Sequence, residues 1–148
     1  MKRRAGFTLV ELMVVVAILG ILGATAMPLL NTWQQRAYGS EATLMLKRIL
    51  DAEIMYFLEK EKFFPEDGTK IIYIFKNDPP TKQEIKDVKD ALNVPIPVGH
   101  HLDFIIQTSP ATADDFCQVN ISASFNLFKD GVKQINGTVD SEGKITIF

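Results

Sequence analysis

From Phe7 to Leu30 the chain carries one charged residue, Glu11. Such a run exceeds the roughly 20 apolar residues that a helix needs to cross a bilayer. It is too long for the apolar core of an ordinary secretory signal, and no A-x-A cleavage site follows it. Lys2, Arg3 and Arg4 stand immediately before it. Positive-inside orientation then keeps the N-terminus cytoplasmic and sends the rest of the chain across. Residues 1–6 read as a basic leader and residues 7–30 as a membrane span.

An acid inside a span is costly, so Glu11 needs an explanation. It is not central: at 1.5 Å per residue it lies only about 6 Å along the helix from Phe7. It could snorkel to the interface or sit in the positive field of the helix N-terminus. Alternatively, its counter-charge comes from another copy of the chain.

The run Gly6-Phe7-Thr8-Leu9-Val10-Glu11-Leu12 resembles the prepilin processing motif of type IV pilins and type II secretion pseudopilins. The resemblance covers the leader and first helix. It implies that a membrane prepilin peptidase cuts between Gly6 and Phe7 and methylates the new Phe7 amine. It also implies assembly through Thr8, Glu11 and Pro28, with Glu11 of one subunit pairing with the Phe7 amine of a neighbour. Such a pair in a dry core sets register more than it adds stability, because both charges must be desolvated.

Beyond the span, residues 31–62 continue as an amphipathic helix. Tyr38, Ala42, Met45, Ile49, Ala52 and Tyr56 recur at three- and four-residue steps, a stripe to be buried under a head. Pro65, Asp67 and Gly68 end the helix. Pro28 removes one hydrogen bond and should kink or loosen it. In the family this resembles, the helix can unwind near such a proline on packing; a simple kink at the membrane edge is the other reading. Trp33 and Tyr38 suit the outer interface, while Tyr56, Phe57, Phe63 and Phe64 suit packing under the head.

Residues 63–148 read as an α+β head. Ile71–Phe75 is a short apolar run, broken by Asp78-Pro79-Pro80. Thr81–Leu92 can form a small helix, with Thr81 as N-cap and Glu84 as its capping-box partner. Strands are expected at His101–Thr108, Cys117–Phe125, Val132–Val139 and Lys144–Phe148, the last two joined around Asp140-Ser141-Glu142-Gly143. Of these, Cys117–Phe125 alternates cleanly between apolar and polar residues. The expected architecture is pilin-like, a long helix against a small antiparallel sheet.

Little in the head points to chemistry. One cysteine, Cys117, permits no intrachain disulfide and reads as a small buried hydrophobe. His100 and His101 are adjacent, so on a strand they face opposite ways. Asp114, Asp115, Asp130, Asp140 and Glu142 read as solvated turn residues. Major pseudopilins hold calcium in this part of the fold, but the spacing here matches no such loop, so no cofactor is assigned and calcium stays as the alternative. Asn120-Ile121-Ser122 and Asn136-Gly137-Thr138 match the glycosylation triplet, a weak signal. A net charge of −2 gives no reason to expect nucleic acid.

The expected protein is a non-catalytic filament subunit of a type IV pilus. It starts in the inner membrane among lipid, N-terminus cytoplasmic and head periplasmic. An assembly platform and its ATPase motor then extract it into a homopolymer built on the N-terminal helices. A pseudopilin is the main alternative, followed by a minor tip pilin or a membrane-anchored binding protein.

Overall fold

The computed structural model describes residues 7–68, 71–75, 81–97, 100–109 and 116–148. The leader (Lys2, Arg3, Arg4, Gly6), Asp78-Pro79-Pro80, Asp114, Asp115 and the side chains of Thr81 and Asp130 lie outside the described residues. The chain divides between Gln34 and Gln35 into two compact units.

Helix α1 spans Leu9–Lys60 and contains Pro28 without interruption. The missing proline N–H leaves the Ala24 carbonyl without its usual donor. One turn later the Thr32 hydroxyl donates to the Pro28 carbonyl at 3.1 Å. Within the N-terminal unit the apolar side chains are exposed, Leu9 at 73% and Leu30 at 62%. The helix is long and apolar enough to cross a membrane.

The second unit is an α+β fold. Strands β1 (Ile71–Ile74), β2 (Asp103–Thr108), β3 (Phe116–Ser122), β4 (Gln134–Asp140) and β5 (Ile145–Ile147) form one antiparallel sheet in sequence order. Helix α2 (Thr81–Leu92) lies between β1 and β2 in the chain and buries Val88 and Leu92. The expected strands all form, with ends shifted by at most three residues. Phe125 falls outside β3, and the run at Ile71 proves to be a fifth, edge strand.

One face of the sheet packs on α1. Ile72, Ile74, Phe104, Ile106, Val119, Ile121 and Val139 are fully or almost fully buried with Ala42, Leu46, Ile49 and Leu50 of the helix. The buried centre of α1 runs Gly39, Ala42, Leu46, Ile49, Leu50 and Glu53. It is therefore rotated from the expected stripe, whose Tyr38, Met45, Ala52 and Tyr56 are its half-buried flank. Hydrophobic area alone would not select Glu53 for this seam.

Glu53 is 0% exposed. Its Oε2 accepts from the Phe64 amide at 2.9 Å, while Oε1 meets no donor among the described residues. Burial pushes its carboxyl up to about 8, only partly opposed by the Phe64 amide and the Cys117 thiol. Burial, with Glu53 beside it, also raises the Cys117 thiol well above its usual range. The acid thus pins the segment after α1 back onto the helix, and its burial favours the neutral form.

Two glycines set how closely other backbone and side chains approach. A Cβ on Gly39 would stand 2.4 Å from the Leu127 carbonyl oxygen, and on Gly137 it would stand 2.6 Å from Leu50 Cδ1. Beside Gly39, the Gln35 amide donates to the Phe128 carbonyl. Gly39→Ala must move backbone and is expected to cost about 1–3 kcal/mol. Gly137→Ala should cost less, because a leucine methyl can rotate away. Urea unfolding of both variants checks the order; equal midpoints would refute it.

Candidate functional site: the start of the long helix

Residues 8–11 form a closed capping box. The Glu11 amide donates to Thr8 Oγ1 at 3.3 Å, and the Thr8 amide donates back to Glu11 Oε2 at 2.9 Å. The Thr8 hydroxyl donates to the same oxygen at 2.7 Å. Thr8 is the N-cap and Glu11 the third helical residue, so orphan donors at the helix start are satisfied reciprocally. The spacing T-x-x-E ahead of an apolar run is the sequence signature of this device; it was readable at Thr8–Glu11, whereas the only capping box expected from sequence was at Thr81.

The box changes what Glu11 means. The acid does not stand unsolvated in the apolar span: it accepts two local hydrogen bonds and lies in the favourable field of the helix start. Both bonds fall on Oε2, and among the described residues Oε1 accepts none. One carboxylate oxygen thus remains for a donor outside the described residues. Phe7, four residues before Glu11, is 76% exposed.

The remaining sequence candidates serve structure. Cys117 is buried on β3, its thiol 4.0 Å from the Phe64 carbonyl. His100 Nδ1 accepts from the Leu102 amide at 3.3 Å and its ring meets Phe104 edge-on, while His101 packs edge-on against Tyr38. Burial lowers the His100 pKa. Asp140 Oδ1 accepts from the amides of Glu142 and Lys144, closing the β4–β5 turn. Among the described residues no three His, Cys, Asp or Glu side chains gather as metal ligands. Both glycosylation triplets lie within strands, where Asn120 and Asn136 are bonded to each other.

Residues 1–27 match the family model of the prokaryotic N-terminal methylation motif. The type IV major pilin protein PilA of Myxococcus xanthus is 36% identical over 106 residues, which cover 66% of this chain and 46% of that protein. A type IV major pilin protein PilE1 of Neisseria gonorrhoeae is 45% identical over 64 residues, 43% of this chain and 38% of that protein. A fimbrial protein of Moraxella nonliquefaciens is 52% identical over 42 residues, 28% of this chain and 27% of that protein. The chain spans less than half the length of each of these relatives. The methylation motif, the long apolar helix behind it and the α+β head make this chain similar to the type IV pilins.

Proposed function

We propose that this protein is a non-catalytic structural subunit of a type IV pilus. The carrying observation is the helix start: a capped acid with one oxygen open among the described residues, four residues after an exposed phenylalanine. Cleavage between Gly6 and Phe7 would turn Phe7 into an N-terminal amine, methylated by the prepilin peptidase and cationic at neutral pH. That amine on one subunit is the donor for Glu11 Oε1 on the next. Thr8 holds the carboxylate in place, and Pro28 weakens the helix locally for packing.

In this reading the span is a temporary anchor. Lys2, Arg3 and Arg4 hold the N-terminus on the cytoplasmic side of the inner membrane. The assembly platform and its motor then draw the helix out of lipid into a core of like helices. The relatives named as major pilins favour a pilus over the pseudopilus of type II secretion. The single buried Cys117 favours the second reading, because many type IV pilins close a C-terminal loop with a cysteine pair.

Mass spectrometry of the mature chain tests processing. The expected N-terminus is N-methylated Phe7, and Gly6→Ser or a bulkier side chain should slow its appearance. An intact Met1 would refute the assigned cut. Deletion separates the two machines: loss of surface fibres with secretion intact supports the pilus, and the reverse supports the pseudopilus.

A further inference from the structure

The face of the sheet turned away from α1 is unlike the rest of the surface. The register places Tyr73, Ile105, Asn120 and Asn136 in one cross-strand row, and Ile71, Gln107, Gln118 and Thr138 in the next. Gln107 donates to Gln118 at 2.9 Å, and Asn120 donates to Asn136. At the β1 edge the rings of Tyr73 and Phe75 stack with centroids 5.7 Å apart and planes 12° apart. They are 41% and 40% exposed. Tyr73, Ile105 and the four amides line a shallow cavity of about 180 Å³. Neither row contains a charge, although 23% of the chain is charged.

The layout selects among occupants. A protein partner would be met by an apolar centre inside a polar rim; here the amides are central and the stacked rings lie at the edge. A nucleic acid would need lysine or arginine to displace its counterions, and these rows have none. A sugar chain fits both parts. Its C–H faces suit an aromatic ring with a polar tip. Its hydroxyls each donate and accept, as does an amide, and a paired amide keeps a second N–H and a carbonyl lone pair for a ligand. Rigid tyrosine beside adaptable asparagine is the composition of polar recognition surfaces.

We infer that this outward face, where the Tyr73–Phe75 stack borders the Gln107–Gln118 and Asn120–Asn136 amide pairs, is a binding platform for a neutral carbohydrate chain. The platform lies wholly in the head and does not depend on how the N-terminus is processed or assembled.

The test is calorimetric titration of the full chain in lauryldimethylamine oxide micelles, a detergent without sugar. The probes are cellohexaose, maltohexaose, fully N-acetylated chitohexaose and mannohexaose, with a heparin hexasaccharide as the charged comparison. At least one neutral probe is expected to bind, with little dependence on salt. Tyr73→Ala and Gln118→Ala should each weaken it by about tenfold, with an unchanged unfolding transition. Tyr73→Phe, which keeps the ring, should bind like the native chain. Four silent neutral probes, or binding of heparin alone that vanishes with salt, would overturn the inference. So would binding that both alanine variants leave untouched. A change in oligomeric state on Tyr73→Ala without sugar binding would assign the face to a second copy instead.

Discussion

Glu11→Gln is expected to insert and be processed like the native chain, yet to leave only a small fraction of the normal filament. The amide oxygen of glutamine can still accept from the Thr8 amide, so the helix keeps its cap. What disappears is the charge, and with it the partner proposed for a neighbour's cationic Phe7 amine. An unpaired cation in a dry helix core is far more costly than the pair it replaces. Glu11→Ala should fail at least as badly, because it removes the cap as well. Thr8→Val is the complementary arm: it removes the hydroxyl but leaves the acid, and should disturb assembly less than Glu11→Gln. Electron microscopy of sheared fibres, with membrane fractions probed for inserted and mature protein, reads all three variants. Normal fibres from Glu11→Gln would reduce the acid to a helix cap and overturn the pairing.

The second large effect concerns Glu53. In the unfolded chain this carboxyl titrates near 4.5, but in the folded head it is held up to about 8. Below the lower value both states carry the proton, and the neutral acid contributes its full share of stability. As pH rises toward 8 the unfolded chain loses its proton while the folded one keeps it, so stability falls. The slope approaches about 1.4 kcal/mol per pH unit within that window. The groups facing Glu53 do not mask it. The Cys117 thiol is shifted well above its normal range. Tyr56 is pushed up to about 12 by its own burial and by the Glu66 carboxylate that accepts its hydroxyl.

Glu53→Gln keeps the size of the side chain and an acceptor for the Phe64 amide. Relative to this variant, thermal unfolding of the native chain in micelles should shift to lower temperature between pH 4.5 and 8. The two curves should lie closest at the acid end. Parallel curves would mean that Glu53 ionises in the fold and has found a partner.

These two acids show what could and could not be read without the fold. The pattern T-x-x-E at Thr8–Glu11 is purely local, four residues that bond among themselves, and was legible in full. The cost of an acid in lipid is the more conspicuous property of the same residue. Glu53 is the opposite case. On a helix of alternating polar and apolar positions it looks solvated. It is buried because the segment carrying Phe63 and Phe64 returns to α1 and because Cys117 arrives from β3, and neither approach is encoded near residue 53.

The sheet divides the same way. The strict alternation from Cys117 to Ser122 announces a strand with one face buried. Ile71–Ile74, four residues paired on one side only, is too short for its period to be informative. The amide pairs on the outward face become visible only when the register sets Gln107 opposite Gln118 and Asn120 opposite Asn136.

The order of the strands carries a consequence for how the head is made. Each strand pairs with its predecessor in sequence, and only α2 and short segments intervene. A chain delivered from its N-terminus can therefore add one strand at a time to a growing edge, with no gap left for a later strand to thread. Sheets built from such near-neighbour pairings close small loops and fold comparatively fast. In such a head the order of arrival and the order of construction coincide.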